Sequence, residues 1–468
     1  MSIIAPASVF QQKVSAVLES AAGTTPASPA YNILPISNGF GMEVVKQFEQ
    51  ASIIRPDLEP GARVGGVSGV EGRIPMAILN EAGFRMWLES GLGGTFTAVA
   101  FTIAVAWNSG AKTATRASGS FLTDPIANRF RIGDTVFPAG TASNQSTLSA
   151  GIDAVVTTIP VTSITPYNAG GGVVKIASTG EIIKYTAASA GNLTGCTRGW
   201  AKTTAAAALS GAVPLPGRTI TAISALVLTF SDTGIQTEAS VSTTFTANTK
   251  ILVPGLIRKY FSIENNFQDI ATFRRYMGCE TNTIQGKIPT SGEATVEFGV
   301  LGLQYAITQA ASSTYIPTLG STPAAGSQAL STLLVNGAAF NSCVENIDFN
   351  LNNNKARRNG IGSQFACFIG QGKRTMDLNF SVYLVDNVLQ GYFQAETRIG
   401  LESVAAAAPP AGYTVGDQYR FNWPQLCITK AAAGESQETI AESIQASAEI
   451  STATGVNTSF FIHEIGAI

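Results

Sequence analysis

A single histidine, His463, stands in the whole chain, so any Ser-His-Asp or Cys-His arrangement has to pass through it. Its flank, SFFIHEIGAI, reads as a terminal strand, where an imidazole serves structure rather than catalysis. The five cysteines, Cys196, Cys279, Cys343, Cys367 and Cys427, are far apart and form no CxxC pair. They read as free thiols, with neither a zinc site nor a disulfide framework. Two stretches invite a phosphate. GQGKRT (370–375) has Gly-Lys but lacks the following Ser or Thr and the upstream Gly of a phosphate loop. GGVSGVEG (65–72) has no strand–turn–helix around it and reads as a turn. The carboxylates are scattered and make no paired-acid set. No enzyme, cofactor or metal chemistry is expected.

The cations have more pattern. Lys355, Arg357 and Arg358 form one basic stretch, Lys373 and Arg374 a second. Such a pair could touch phosphates. The preferred reading is a contact between subunits, with acids as partners.

Composition supports association. Hydrophobic residues make up 45% of the chain, but charged residues only 13%, about half the usual share. A monomer so poor in charge is hard to keep dispersed. Either much surface is buried in an assembly or the chain lies in a membrane. No run of about 18 uncharged apolar residues suits a spanning helix, and MSIIAPASVFQQKVSAVLES has neither the basic nor the apolar region of a signal peptide. Assembly is therefore the expectation, with no membrane. The net charge of −2 names no partner.

The elements that would position an assembly surface are mostly strands. ALVLTF (225–230), ASVSTTFTA (239–247), EATVEFGVLGL (293–303), DLNFSVYLV (377–385) and SIQASAEIS (443–451) alternate polar and apolar residues with period two. Two stretches run from strand to helix. In IPMAILNEAGFRMWLES (74–90), Ile74, Met76 and Ile78 alternate. Asn80 is the expected N-cap, and Ala82, Gly83, Met86 and Trp87 share a helix face. In FSVYLVDNVLQGYFQAE (380–396), Phe380, Val382 and Leu384 alternate, Asp386 caps, and Val388, Leu389, Tyr392 and Phe393 repeat the helix spacing. A shift of 306 superimposes the two without a gap. The chain therefore reads as a tandem duplication. An N-terminal arm (1–30) precedes a first unit (31–311), then come a linker (312–334) and a second unit (335–468). The first unit holds an insertion at about 128–215, a small exposed β module that FRIGDTVF enters as a barrel strand.

Three stretches carry a resemblance. RPDLEPGARVGGVSGVEGRIPMAILNEAGFRMWLESGLGG (55–94) is one, and RKYFSIENNFQDIATFRRYMGCETNTIQG (258–286) is the second. The third runs from NIDFNLNNNKARRNGIGS through FSVYLVDNVLQGYF (346–393). Together they resemble the tail tube proteins of long-tailed, siphovirus-like bacteriophages. The resemblance implies a mainly β fold. Tandem tube-type β-sandwich or barrel domains each carry one flanking helix, and a small β-barrel-like module is inserted. It implies a virion protein made in the bacterial cytoplasm that self-assembles into stacked rings. A duplicated subunit would give homotrimers with pseudo-hexameric symmetry. The implied partners are other copies of the chain, tail tip and terminator proteins, the tape measure protein, and then DNA ejected through the lumen without specific binding. The helices, through Asn80, Met86, Trp87, Asp386, Tyr392 and Phe393, are expected to cover the sandwich flank and space neighbours, so that Asp at Trp87 or Phe393 abolishes rings. Residues 431–468 hold Glu435, Glu438, Glu442, Glu449 and Glu464 with no Lys or Arg; the first four are candidate lumen acids. A second reading is a β-modular virion or cell-surface adhesin with 128–215 as its binding head.

Overall fold

The structure, a computed structural model, describes every residue except 1–11, 38, 51–62, 122–129, 309–313, 318–321, 326–333, 336–337, 340–343, 385–386, 412, 414–415, 437–438, 452–456 and 467–468. It is mainly β, as expected. The chain forms two compact units. The first comprises Met1–Thr95, Val253–Ala407 and Arg420–Ile450; the second comprises Phe96–Leu252, Ala408–Tyr419 and Ser451–Ile468.

In chain order the elements used below begin with β1 (Gly41–Gln50), β2 (Arg63–Ala77) and α1 (Ala82–Leu92). The second unit contributes β3 (Thr97–Asn108), β4 (Thr113–Arg116), β5 (Thr135–Ala139), β6 (Arg218–Ile223), β7 (Val227–Phe230) and β8 (Glu238–Leu252). Back in the first unit come β9 (Phe261–Phe267), β10 (Thr272–Pro289), β11 (Thr295–Gly302), β12 (Val344–Asn352) and β13 (Thr375–Tyr383). Then follow α2 (Val388–Gln394), β14 (Ile399–Ala406), β15 (Gln418–Ser436), β16 (Thr439–Ala448) and, in the second unit, β17 (Phe461–Ile465).

The first unit is organised by one antiparallel sheet in the order β1–β2–β11–β10–β12–β13–β16–β15. Its alternation sorts the side chains strictly. Ile74, Met76, Val296, Phe298, Ile284, Ile288, Ile347, Phe349, Leu378, Phe380 and Ile444 all point to the buried side. Each such side chain contributes about 1.5–3 kcal/mol on full burial, and a one-residue slip would turn all of them to water. Glycine fits where a ring crosses a strand: a Cβ on Gly286 would stand 2.0 Å from Phe349 Cζ.

Two irregularities recur. Between β10 and β11 the register steps from Thr281↔Val300 to Thr283↔Gly299, leaving Asn282 bulged. Between β15 and β16 it steps from Ile428↔Ala446 to Lys430↔Gln445, leaving Thr429 bulged. The expected turn at GGVSGVEG is absent, because those residues run inside β2. Gly72 is needed there for close chain approach, since its Cβ would meet Gly41 O at 2.2 Å.

Both predicted helices form, each displaced from its expected cap. The N-cap of α1 is Glu81, with no side-chain cap bond. Asn80 is buried beside it, and its Oδ1 accepts instead from Arg85 Nη2 at 3.2 Å. The buried face is Gly83, Phe84, Trp87, Leu88, Gly91 and Leu92, one residue round from the prediction, so Met86 is half-buried and Ala82 exposed. Gly93, at φ 65°, closes the helix. The N-cap of α2 is Asn387; Asp386 lies outside the described residues.

The second unit is larger than the expected insertion. Its strands close a six-stranded barrel, β3–β8–β5–β6–β7–β4 and back to β3. Trp107, Phe230 and Phe245 fill it, with Trp107 stacked 5.7 Å from Phe230. FRIGDTVF enters this barrel through β5, as read from the sequence. Residues 148–208 carry a separate core of Ile159, Val174, Ile176, Ile183 and Leu193. The strands at 97–116 and 218–252, expected in the first unit, belong here because they pair around the barrel.

The remaining boundaries also differ from those expected. Gln12–Leu18, expected in an arm, pairs with β9. Within the expected linker, Thr314–Ile316 pairs in parallel with Ala30–Ile33. Across it, β10 pairs with β12, so segments before and after 312–334 share one sheet.

Candidate assembly face and edges

The side of the eight-stranded sheet opposite the core is polar and open. Thr283, Gln285 and Lys287 on β10 sit against Asn352, Asn350 and Asp348 on β12. These in turn meet Thr375, Asp377 and Asn379 on β13. Asp377 and Asn379 then meet Ser447 and Gln445 on β16. Amides and hydroxyls dominate. The charges on this face are Glu43, Glu71, Glu297, Asp348 and Asp377 against Arg73, Lys287 and Lys430, a mildly acidic balance. A surface cleft of about 540 Å³ opens beside Glu43, Glu71, Arg73 and Thr283. Such a wall offers phosphates few cations to bind.

The sheet ends in two exposed edges. On β1, Val44 is 37% and Phe48 is 58% exposed. Lys430, Ala432, Ala433 and Gly434 on β15 are exposed too; this end of β15 pairs with β16 on its inner side, and β15 also pairs with β14. Exposed strand edges with apolar residues are templates for another chain.

The predicted site residues scatter. Three of the five cations are consumed within the first unit. Lys355 Nζ lies 3.1 Å from Glu280 Oε2 and is nearly buried. Burial pushes its ammonium below the ordinary lysine range, against the pull of Glu280. Arg357 bonds Val70 O at 2.7 Å and Glu71 at 3.2 Å. Arg374 donates to Asn353 Oδ1 at 2.9 Å and Leu92 O at 3.0 Å, and burial lowers its pKa. These three hold β2, α1 and β10 in place. Only Arg358 and Lys373 are exposed as the contact reading requires.

The acids fare similarly. Glu442 is buried, on the core side of β16 between Ala441 and Ser443, so it does not face the open side. Glu449 is tied to Arg398 at 3.0 Å. Hydrogen bonds from Arg398 and then Gln425 hold its carboxyl below the ordinary range. Glu435 lies in β15, with its side chain outside the described residues, as is Glu438 altogether.

Trp87 is fully buried, its ring 4.6 Å from Phe261 and 6.3 Å from Phe298. It holds the fold and is no surface spacer, so Asp there would unfold the unit before it touched any ring contact. Tyr392 and Phe393 are half-buried. His463 is buried in β17, edge-on to Phe461 at 5.4 Å. Cys196, Cys279, Cys367 and Cys427 are free thiols; Cys343 lies outside the described residues. Among the described residues no cluster of His, Cys, Asp and Glu could hold a metal, and no helix is long and apolar enough to cross a membrane.

Sequence reasoning missed the open face and both edges. The signal for the face was present in VENIDFNLN (344–352), where Asn346, Asp348, Asn350 and Asn352 alternate with Ile347, Phe349 and Leu351. The edges leave no such trace, because pairing partners are not local. A family model described as phage tail tube protein matches residues 10–451. No curated protein matches the chain.

Proposed function

The chain belongs to the phage tail tube protein family, and on that premise we propose that it joins head to tail into closed rings. Stacked, these rings form the tube of a long, siphovirus-type tail and the conduit for genome ejection. A tail tube protein is a structural virion component, not an enzyme. We propose further that each chain carries the tube motif twice, so that three copies close a pseudo-hexameric ring.

One observation carries this reading: the sheet repeats its own strand order. β1–β2–β11–β10 is followed by β12–β13–β16–β15. Each quartet has the same chain sequence: edge strand, second strand, helix, then the long strand and its hairpin partner. The end of β2 at Ala77 and of β13 at Tyr383 are 306 residues apart, as are the helix starts at Ala82 and Val388. The bulges at Asn282 and Thr429 fall at matching positions in the long strands. Bulges are features that related folds retain.

Magnitude favours three copies. Strands about 4.8 Å apart and tilted ~40° close a 24-stranded barrel of about 50 Å between backbones. Six copies of the same sheet would give about 100 Å on that spacing. The smaller bore suits a duplex, lined by the amide-rich open face that lets DNA and the tape measure protein pass without binding. Tip and terminator proteins would cap the stack.

Electron microscopy of the purified chain, with mass per ring, tests this. Rings of three copies with six similar lobes are expected. Six copies per ring would discard the duplication, and monomers at high concentration, even with tip proteins added, would discard the tube.

A further inference from the structure

The junction where the two quartets meet inside one chain, β10 against β12, has a known register: Thr283↔Asn352, Gln285↔Asn350, Lys287↔Asp348. It joins the long strand of one quartet to the edge strand of the other. The outer edges of the sheet are another long strand, β15, and another edge strand, β1. They are the same two strand types, exposed.

We propose that β15 of one copy pairs antiparallel with β1 of the next copy in the register of that internal junction: Lys430↔Val45, Ala432↔Glu43, Gly434↔Gly41. This rests on the duplicated-tube reading and gives it a residue-level seam. The register follows from two offsets. The long strands correspond by 147 residues, as Thr281 and Ile428 flank the matching bulges. The edge strands correspond by 307, since Gly41 pairs with Arg73 as Asp348 pairs with Asn379.

The transferred register is sterically and chemically consistent. On the core side, Phe349 packs over Gly286 at the internal junction; the seam sets Met42 over Ala433, again a large side chain over a small one. Val44 gains Ala431 as its opposite residue and loses its exposure to water. On the open side, Lys430 lies one diagonal step from Glu43, within reach of long side chains. The seam is heterologous, so every ring has two different faces and all copies point one way.

Cysteine pairs test the seam on the full chain. Gln285→Cys with Asn350→Cys calibrates the geometry by closing within a single chain. Glu43→Cys with Ala432→Cys, oxidised in assembled rings, should link neighbouring copies. A non-reducing gel should show two and then three chains, and mass spectrometry the 43–432 disulfide peptide. Val44→Cys with Ala432→Cys puts the thiols on opposite faces and should not link. Ala433→Arg, at an exposed position, should leave the folded chain intact and abolish rings. A calibrated chain whose rings form without the 43–432 link, or link through 44 instead, overturns the seam while the tube stands. Absence of wild-type rings removes both.

Discussion

The two strand-to-helix crossings share one pattern and serve different ends. α1 has eleven residues, ends on a left-handed glycine, and buries Phe84, Trp87, Leu88 and Leu92. α2 has seven residues, ends on Ala395 without a left-handed cap, and buries only Leu389. Val388 is 42% exposed, and Tyr392 and Phe393 are half-covered. A hydrophobic pattern therefore fixes where a helix begins, but not how deeply it sits. Depth depends on what the rest of the unit provides. α1 meets Phe261 and Phe298. α2 has no comparable aromatic bed among the described residues.

The largest effect should separate the two helices. Trp87→Ala removes a fully buried ring and should cost about 3–5 kcal/mol. Phe393→Ala, half-covered, should cost under about 1.5 kcal/mol. Denaturant unfolding measures both. Equal losses would break the comparison, because α2 would then be as much a core helix as α1.

The junctions offer the next contrast. Gly286→Val drives a side chain into Phe349 and should cost about 1–3 kcal/mol. Ala433→Val, its counterpart on the exposed β15 edge, should change the stability of the unassembled chain by under about 0.5 kcal/mol. A large loss at Ala433 in dispersed protein would mean that this edge is already covered within one chain. Among the cations, Lys355→Ala strips a buried partner from Glu280 and should cost about 2 kcal/mol, whereas Arg358→Ala should be near neutral.

Much of this contrast was legible in the sequence, and the unread part has a physical cause. Period-two alternation located β11, β13 and β16, because side-chain direction in a strand is set locally. The 306-residue shift placed both strand ends and both helix starts in step. The α1 cap was misjudged by one residue because Asn80 has a nearer use, accepting from Arg85. The basic stretches misled for a stronger reason. Charge in a sequence carries no sign of its partner, and Glu280 is 75 residues from Lys355 yet 3.1 Å from it in space. The barrel of the second unit was underestimated because β3 and β8 pair across more than a hundred residues. Long-range pairing of that kind is invisible to any local pattern.

The smallest effect sharpens the comparison at its ion pairs. Near α1, Lys259 Nζ meets Glu89 at 2.6 Å, with side chains 15% and 14% exposed. After α2, Arg398 meets Glu449 with both about 40% exposed. The Glu449 carboxyl is held below its ordinary value, chiefly by hydrogen bonding to Arg398. A carboxylate with a depressed folded pKa stabilises above the unfolded value, near 4.5, and that contribution disappears as pH falls through the folded value. Wild type should therefore exceed Glu449→Gln slightly in thermal midpoint at neutral pH, and the two should converge in acid. Solvent screening keeps the gap small, and added salt should narrow it further. Lys259→Met, which removes this ammonium from a half-enclosed Glu89, should lower the midpoint more at neutral pH and keep most of that loss in salt. If the Glu449 gap proved the larger and survived salt, the exposed pair beside α2 would be the stronger anchor, and the shallow seating of α2 would need another explanation.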